Sequence, residues 1–151
     1  MSEDMIDFTG QVVIVTGAGG GLGRKYALEF ARRGAAVVAN DLGTSFDGHG
    51  RDTSMSQGVV DEIEKAGGTG AVSHDSVSTR AGGEAIVALA LERFGRIDAI
   101  VHNAGTLRNA RFGEISDETL DNMIDVHLKG AFHVGQPAFR AMKEQGYGRI
   151  V

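Results

Sequence analysis

Five short, almost wholly apolar runs, separated by segments of helical period, constrain this chain more than any other feature. The first, QVVIVT at Gln11–Thr16, is rich in β-branched residues and stops at glycines, as a buried strand does. AVVAN at Ala36–Asn40 is the second, Gly70–Ser73 a weaker third, IDAIV at Ile97–Val101 the fourth, and Arg149–Val151 begins a fifth. Between them, Leu22–Arg33 places Leu22, Tyr26 and Phe30, with Ala27 and Ala31, at helical spacing, and Gly34 stops it. Ser56–Ala66 sets Val59, Val60 and Ile63 on one face, and Ala81–Phe94 reads as a helix despite its two early glycines. Asp117–Gln145 carries Leu120, Met123, Ile124, Leu128, Phe132, Phe139 and Met142, a long helical pattern expected to bend where Pro137 lacks its N–H. Strands this apolar leave no face for water, so the alternation predicts an α/β fold with a parallel sheet covered on both sides. Right-handed crossovers then give a doubly wound sheet of order 3-2-1-4-5. Residues 1–151 contain no internal repeat or interdomain linker and read as one domain.

Composition narrows the function classes. The net charge of −5 opposes a nucleic-acid partner, which needs a basic footprint. No stretch approaches the roughly 20 apolar residues that span a bilayer, and MSEDMID lacks the basic start and apolar core of a signal peptide. Without cysteine there is neither a disulfide framework nor a thiolate metal site. A soluble, cytoplasmic protein is expected. Glycine is the outlier, at 23 of 151 residues, and it is dispersed as punctuation rather than gathered in a linker.

Five of those glycines fall in TGAGGGLG, Thr16–Gly23, between the first strand and the first helix. The pattern that fits is G-x-x-x-G-x-G, with Gly17, Gly21 and Gly23; G-x-G-x-x-G fails because Leu22 stands where its last glycine would be. Glycine allows the tight turn, the approach of backbone N–H groups to a pyrophosphate, and close helix–strand packing. The helix N-terminus adds unpaired donors and partial positive charge. The plainer reading is an unusual strand-to-helix turn without a ligand. Asp41 directly follows the second strand, where a carboxylate accepts from adenosine ribose hydroxyls and repels a 2′-phosphate. No Arg or Lys lies in the glycine loop or immediately after Asp41, which predicts NAD rather than NADP; the plainer alternative is a solvated Asp opening a turn.

With TGAGGGLG at 16–23, Asp41, Asp75 after the third strand and HNAG at 102–105 after the fourth, the chain resembles the short-chain dehydrogenase/reductase family. The resemblance implies a Rossmann-type dinucleotide-binding domain. It implies cofactor contacts for Gly17, Gly21, Leu22, Gly23, Asp41, Asp75 and Ser76, and for His102, Asn103, Ala104 and Gly105 in the turn whose backbone lines the cofactor. The family's usual Asn-Asn-Ala-Gly is His-Asn-Ala-Gly here, so at His102 only a backbone role carries over. A narrower set of stretches is similar to the hydroxyacyl-CoA dehydrogenase portion of peroxisomal multifunctional β-oxidation enzymes and their bacterial relatives. These are VVANDLG at 37–43, HDSV at 74–77, FGRIDAIVHNAG at 94–105, ISDE at 115–118 and VHLKGAF at 126–132, with the glycine-rich insert at 42–52. The implied reaction is hydride transfer between NAD and a secondary alcohol or ketone, with acyl-CoA thioesters and hydroxysteroids as the implied substrate classes. The implied assembly is a homo-oligomer, dimer or tetramer, joined through the long helix.

His127 stands where the family has an Asn whose main-chain carbonyl holds a water of the proton relay; it reads either as that backbone position or as a polar helix residue with no catalytic part. The family's Tyr-x-x-x-Lys pair is absent, since Tyr26 is followed four residues on by Phe30 and Tyr147 by Val151. The chain thus holds the cofactor half without the proton-transfer half, reads as part of a longer protein or as a truncated product that needs a partner, and alone is expected to show no turnover. A non-catalytic nucleotide-binding module and a subunit-association remnant are the competing functions. Asp47, His49 and Asp52 fit no common metal spacing and read as a solvated or substrate-side loop, so no metal is expected. Ser116 reads as an N-cap followed by Asp117 and Glu118, and Met123 and Met142 as core.

Overall fold

A computed structural model describes residues 6–44, 50 and 52–151. Five strands, β1 (Val12–Thr16), β2 (Ala36–Asn40), β3 (Thr69–Ser73), β4 (Ala99–His102) and β5 (Arg149–Ile150), form one sheet of order β3-β2-β1-β4-β5. All pairings are parallel, and Ile14 of β1 stands opposite both Val38 of β2 and Ile100 of β4. The helices are α1 (Gly21–Arg32), α2 (Ser54–Lys65), α3 (Arg80–Phe94), α4 (Asp117–Met123) and α5 (Gly130–Gln145). The expected topology is the observed one.

Period-two alternation divides the core between the two faces of the sheet. Val13, Val15, Val37 and Ala39 pack with Ala27 and Ala31 of α1 and Val59, Val60 and Ile63 of α2. Val12, Ile14, Val38 and Ile100 pack with Ile86, Val87 and Ala90 of α3 and Val134, Ala138 and Met142 of α5. Ile14 is fully buried, which is why the strand runs are apolar without alternation.

Two elements depart from expectation. β4 starts at Ala99 rather than Ile97, because the side-chain amide of Gln145 takes both the N–H and the C=O of Ile97. Asp98, which follows, is a buried anchor: its carboxylate accepts from the Val12 N–H at 2.8 Å and pairs with Arg96 at 2.6 Å. The long helix is interrupted at Ile124–Lys129, a π-helical turn between α4 and α5, while α5 runs unbroken through Pro137. Pro137 cannot donate to the C=O of His133, four residues back. That carbonyl lies at the crossing with α3, where a Cβ on Gly83 would come within 2.3 Å of it. The early glycine of α3 makes room for the acceptor that the proline leaves free. Ser116 does cap α4, accepting from the Thr119 N–H at 3.2 Å, and Met142 lies in the core.

Candidate functional site

Parallel strands deliver their C-terminal ends to one side of the sheet, and the strand order reverses between β1 and β4. A cleft of about 1150 Å³ opens there. Gly17, Gly20, Gly21 and Leu22 line it after β1, Asn40–Thr44 after β2, Asp75–Ser78 after β3 and Asn103–Thr106 after β4; Met55, Asn122 and Val126 close its sides. Of the residues expected at the site, it gathers Gly17, Gly21, Leu22, Asp41, Asp75, Ser76, Asn103, Ala104 and Gly105. Asp52 also lines the cleft, its carboxyl held below the ordinary 3.8 by the Ser54 hydroxyl and N–H. Asp47 and His49 lie outside the described residues.

The glycine loop is shaped by space. Gly17 has φ +67°, and a Cβ on it would stand 2.9 Å from the Ala104 Cα. Gly23 is outside the lining and serves the packing behind it: a Cβ there would meet the Gly17 carbonyl oxygen at 2.1 Å. The Arg24 N–H is the first to bond back into α1, to the Gly20 C=O, so those of Gly21, Leu22 and Gly23 have no acceptor within the helix. No acidic residue occupies the first turn. The mouth of α1 therefore presents donors and partial positive charge to an anion in the cleft.

Asp41 ties this loop to the next. Its Oδ2 accepts from the Gly19 N–H at 2.8 Å and its Oδ1 from the Gly43 N–H at 2.7 Å. An ionised carboxylate offers about four lone-pair sites, so two remain for hydroxyl donors such as a vicinal diol. Asp75 accepts from the Ser73 hydroxyl at 3.0 Å, and the Ser76 and Ser78 hydroxyls pair at 2.8 Å. Asn103 turns inward: its side-chain amide donates to the carbonyls of Thr16 and Gly17, at 3.1 and 3.2 Å.

His102 and His127 do not line the cleft among its described residues. Alternation along β4 sends His102 to the face shared with Ile100, beneath the π turn, with its N–H donated to the Val151 C=O. Burial, and then the charge of His127, pushes its ring below the ordinary 6.5. The ring of His127 stands against Gly105, where a Cβ would come within 2.6 Å of it, and its Nε2 lies 2.8 Å from the Thr106 C=O. The side chain of His127, and not only its backbone, thus holds the loop after β4.

Three structural roles escaped sequence reasoning. Thr16, buried at the end of β1, accepts through its hydroxyl from the N–H groups of Asn103 and Ala104, at 3.1 and 3.0 Å. Asn40 donates to the Asp75 C=O at 2.9 Å, fixing the β3 loop. Met55 packs over Gly19 and Gly20 as a wall of the cleft. A polar residue closing an otherwise apolar strand is the signal that marks the first two; Met55 carries none.

A model of the short chain dehydrogenase family matches residues 11–151. The peroxisomal multifunctional enzyme type 2 of Mus musculus is 53% identical over 144 residues, covering 95% of this chain and 19% of that protein. A putative short-chain type dehydrogenase/reductase of Mycobacterium tuberculosis is 47% identical, over 93% of this chain and 49% of its own. Among solved structures, a short chain dehydrogenase from Mycobacterium avium superposes with TM-score 0.83 at 41% identity, over 95% of this chain and 51% of that one. A 7 alpha-hydroxysteroid dehydrogenase complexed with NADH and 7-oxo glycochenodeoxycholic acid superposes with TM-score 0.85 at 27% identity, over 95% and 52%. The chain spans from about a fifth to about a half of the length of these proteins. It belongs to the short chain dehydrogenase family.

Proposed function

We propose that this chain binds NAD in the cleft and forms the cofactor half of an oxidoreductase that interconverts secondary alcohols and ketones. The observation that carries the reading is Asp41, tied by two N–H groups beside the open mouth of α1, with acceptor capacity left over. The N–H groups of Gly21, Leu22 and Gly23 would hold the diphosphate, Asp41 the adenosine ribose hydroxyls, and Asp75 and Ser76 the adenine edge. Asn103, Ala104 and Gly105 back the nicotinamide end. The cleft suits such a group: Gly17 leaves room for close approach, and no Lys or Arg is among the described lining residues to receive a 2′-phosphate. When bound, NAD supplies the hydride acceptor. The residues of this chain bind, orient and discriminate. His127 fixes the Gly105–Thr106 wall, and its main-chain carbonyl lies in the turn where the family holds a relay water.

The relatives are named as multifunctional and hydratase-dehydrogenase-epimerase enzymes and, in one structure, a hydroxysteroid dehydrogenase. The substrate classes we propose are accordingly 3-hydroxyacyl-CoA thioesters first and hydroxysteroids second. The Tyr-x-x-x-Lys pair does not occur within these 151 residues, so the assay belongs on the full-length native protein. NADH formation with a 3-hydroxyacyl-CoA, and little with NADP, is expected. Binding of NAD without reduction by any secondary alcohol would instead establish a non-catalytic module.

Leu128, Phe132 and Phe139 expose more than half of their surface, and helical spacing sets them on one face of the stretch. We propose this face as a homo-oligomer contact, and light scattering of wild type against Phe132→Glu tests it: a lower mass for the variant supports the contact, and equal masses oppose it. Among the described residues no helix is long and apolar enough to cross a membrane. The cytoplasmic placement competes with a peroxisomal one, since several relatives are named for that organelle; fractionation of the native source decides.

A further inference from the structure

Asp41 is held from two sides. A carboxylate turns easily on its own side chain, because that last torsion has only broad preferences. Two N–H groups stop the turn: Gly19 donates to Oδ2 at 2.8 Å and Gly43 to Oδ1 at 2.7 Å. With one bond on each oxygen the carboxylate plane is fixed, and the lone pairs left over keep one direction. Gly19 belongs to the glycine loop. Gly43 lies past the end of β2 and needs a support of its own.

That support comes from the far end of the glycine-rich insert. The Asp52 N–H donates to the Gly43 C=O at 2.6 Å, so the two residues close a neck. The neck is tight. Gly43 has φ +73°, which residues with a side chain rarely adopt, and a Cβ on it would stand 2.3 Å from the Asp52 carbonyl oxygen. Asp52 is anchored on its other side, where its Oδ1 accepts from the Ser54 N–H at 3.0 Å at the start of α2. Met55 returns to the glycine loop: a Cβ on Gly19 would meet the Met55 Cβ at 3.0 Å and the Asp41 Oδ2 at 2.9 Å. The contacts run in a ring, from Gly19 through Asp41, Gly43 and Asp52 to Met55 and back. Gly43 and Asp52 line the cleft together with Asp41.

We infer that Gly43 and the Asp52 N–H are positioning groups, which act through Asp41 to set the preference of the cleft for a ribose with free hydroxyls; this rests on the NAD reading above. A vicinal diol needs two acceptor sites aimed at it, and a carboxylate already fixed in that aim is spared the cost of ordering on binding. Opening the neck leaves Asp41 its charge and takes away its aim.

Crystal structures of the full-length protein test the geometry without a ligand. In Gly43→Ala the neck should open and the Asp41 carboxylate should turn; a carboxylate that keeps its place overturns the inference. Calorimetric titration tests the consequence. Gly43→Ala should bind NAD roughly fivefold more weakly or worse, whereas in the Asp41→Ala background the same change should alter NAD affinity by less than about twofold. Equal losses in the two backgrounds would mark Gly43 as merely structural and overturn the inference. Where Gly43→Ala does not fold, Asp52→Pro against Asp52→Ala decides. Both variants lose the carboxylate, and the proline alone also loses the N–H. Weaker NAD binding by the proline variant supports the neck, and equal binding opposes it. If the Asp41 carboxylate turns in Gly43→Ala but wild type binds neither NAD nor NADP, the positioning of Asp41 stands and the proposed function fails.

Discussion

Two corners of the cleft sit side by side at the ends of β1 and β4, and they are built in opposite ways. The β1–α1 corner is backbone. At Gly17 and Gly23 the nearest atoms to an added Cβ are backbone, the Ala104 Cα and the Gly17 carbonyl oxygen, with the braced Asn103 amide close behind, so neither position leaves room for a side chain of its own. The corner between β4 and the π turn is side chain: Asn103 braces the glycine loop, the His127 ring props Gly105, and the His102 ring lies beneath the turn. A backbone corner tolerates almost nothing at its glycines, whereas a side-chain corner can be rebuilt with a different ring or amide. His at 102, in place of the family's usual Asn, is a rebuilding of that kind.

The contrast breaks if the backbone corner accepts a methyl group. Gly23→Ala should cost about 3 kcal/mol, because the new Cβ would lie 2.1 Å from a carbonyl oxygen fixed at both ends. Urea unfolding measures it, and a loss under about 1 kcal/mol would mean the loop yields. Asn103→Ala removes two bonds that join the corners and should lose about 2 kcal/mol at roughly 1 kcal/mol each, read by the same transition. His127→Ala should cost about 1 kcal/mol in stability, with faster amide exchange at Gly105 and Thr106 as the specific sign; unchanged exchange would leave His127 a surface residue. The smallest effect at neutral pH belongs to His102. Its folded pKa lies below the ordinary 6.5, so the unfolded chain binds the extra proton first. Stability is then full above pH 6.5 and declines as pH falls below it, with a slope of at most about 1.4 kcal/mol per pH unit for one proton. His102→Asn should flatten that part of the curve in urea midpoints measured from pH 8 to pH 5.

The backbone corner was legible in the sequence for the same reason that it is intolerant. Glycines needed for space at Gly17 and Gly23 and for a positive φ at Gly21 fall at fixed intervals, and an acid after an apolar strand marks the next loop, so G-x-x-x-G-x-G and Asp41 are readable from the sequence alone. Strand order followed from the apolar runs and from the handedness of crossovers. The π turn left no such trace. It is a shift in hydrogen-bond register within a continuous apolar pattern from Leu120 to Met142, and Pro137, the residue expected to bend the helix, lies inside α5 one turn beyond the His133 carbonyl that Gly83 of α3 leaves room for. The start of β4 was misplaced because Ile97 is as buried as a strand residue while its backbone is served by the Gln145 side chain. Thr16 and Asn40 were visible as polar ends of apolar strands, but the direction in which each hydroxyl or amide points depends on neighbours distant in sequence.

Calorimetric titration of wild type and Asp41→Ala with NAD and with NADP tests the central claim most directly. Wild type should bind NAD well and NADP poorly, and Asp41→Ala should bind NAD about 10- to 100-fold more weakly, the worth of charge-assisted bonds to the ribose at about 1.5–3 kcal/mol, with little preference remaining. Equal binding of the two dinucleotides by wild type, or an NAD affinity indifferent to the loss of Asp41, would contradict it.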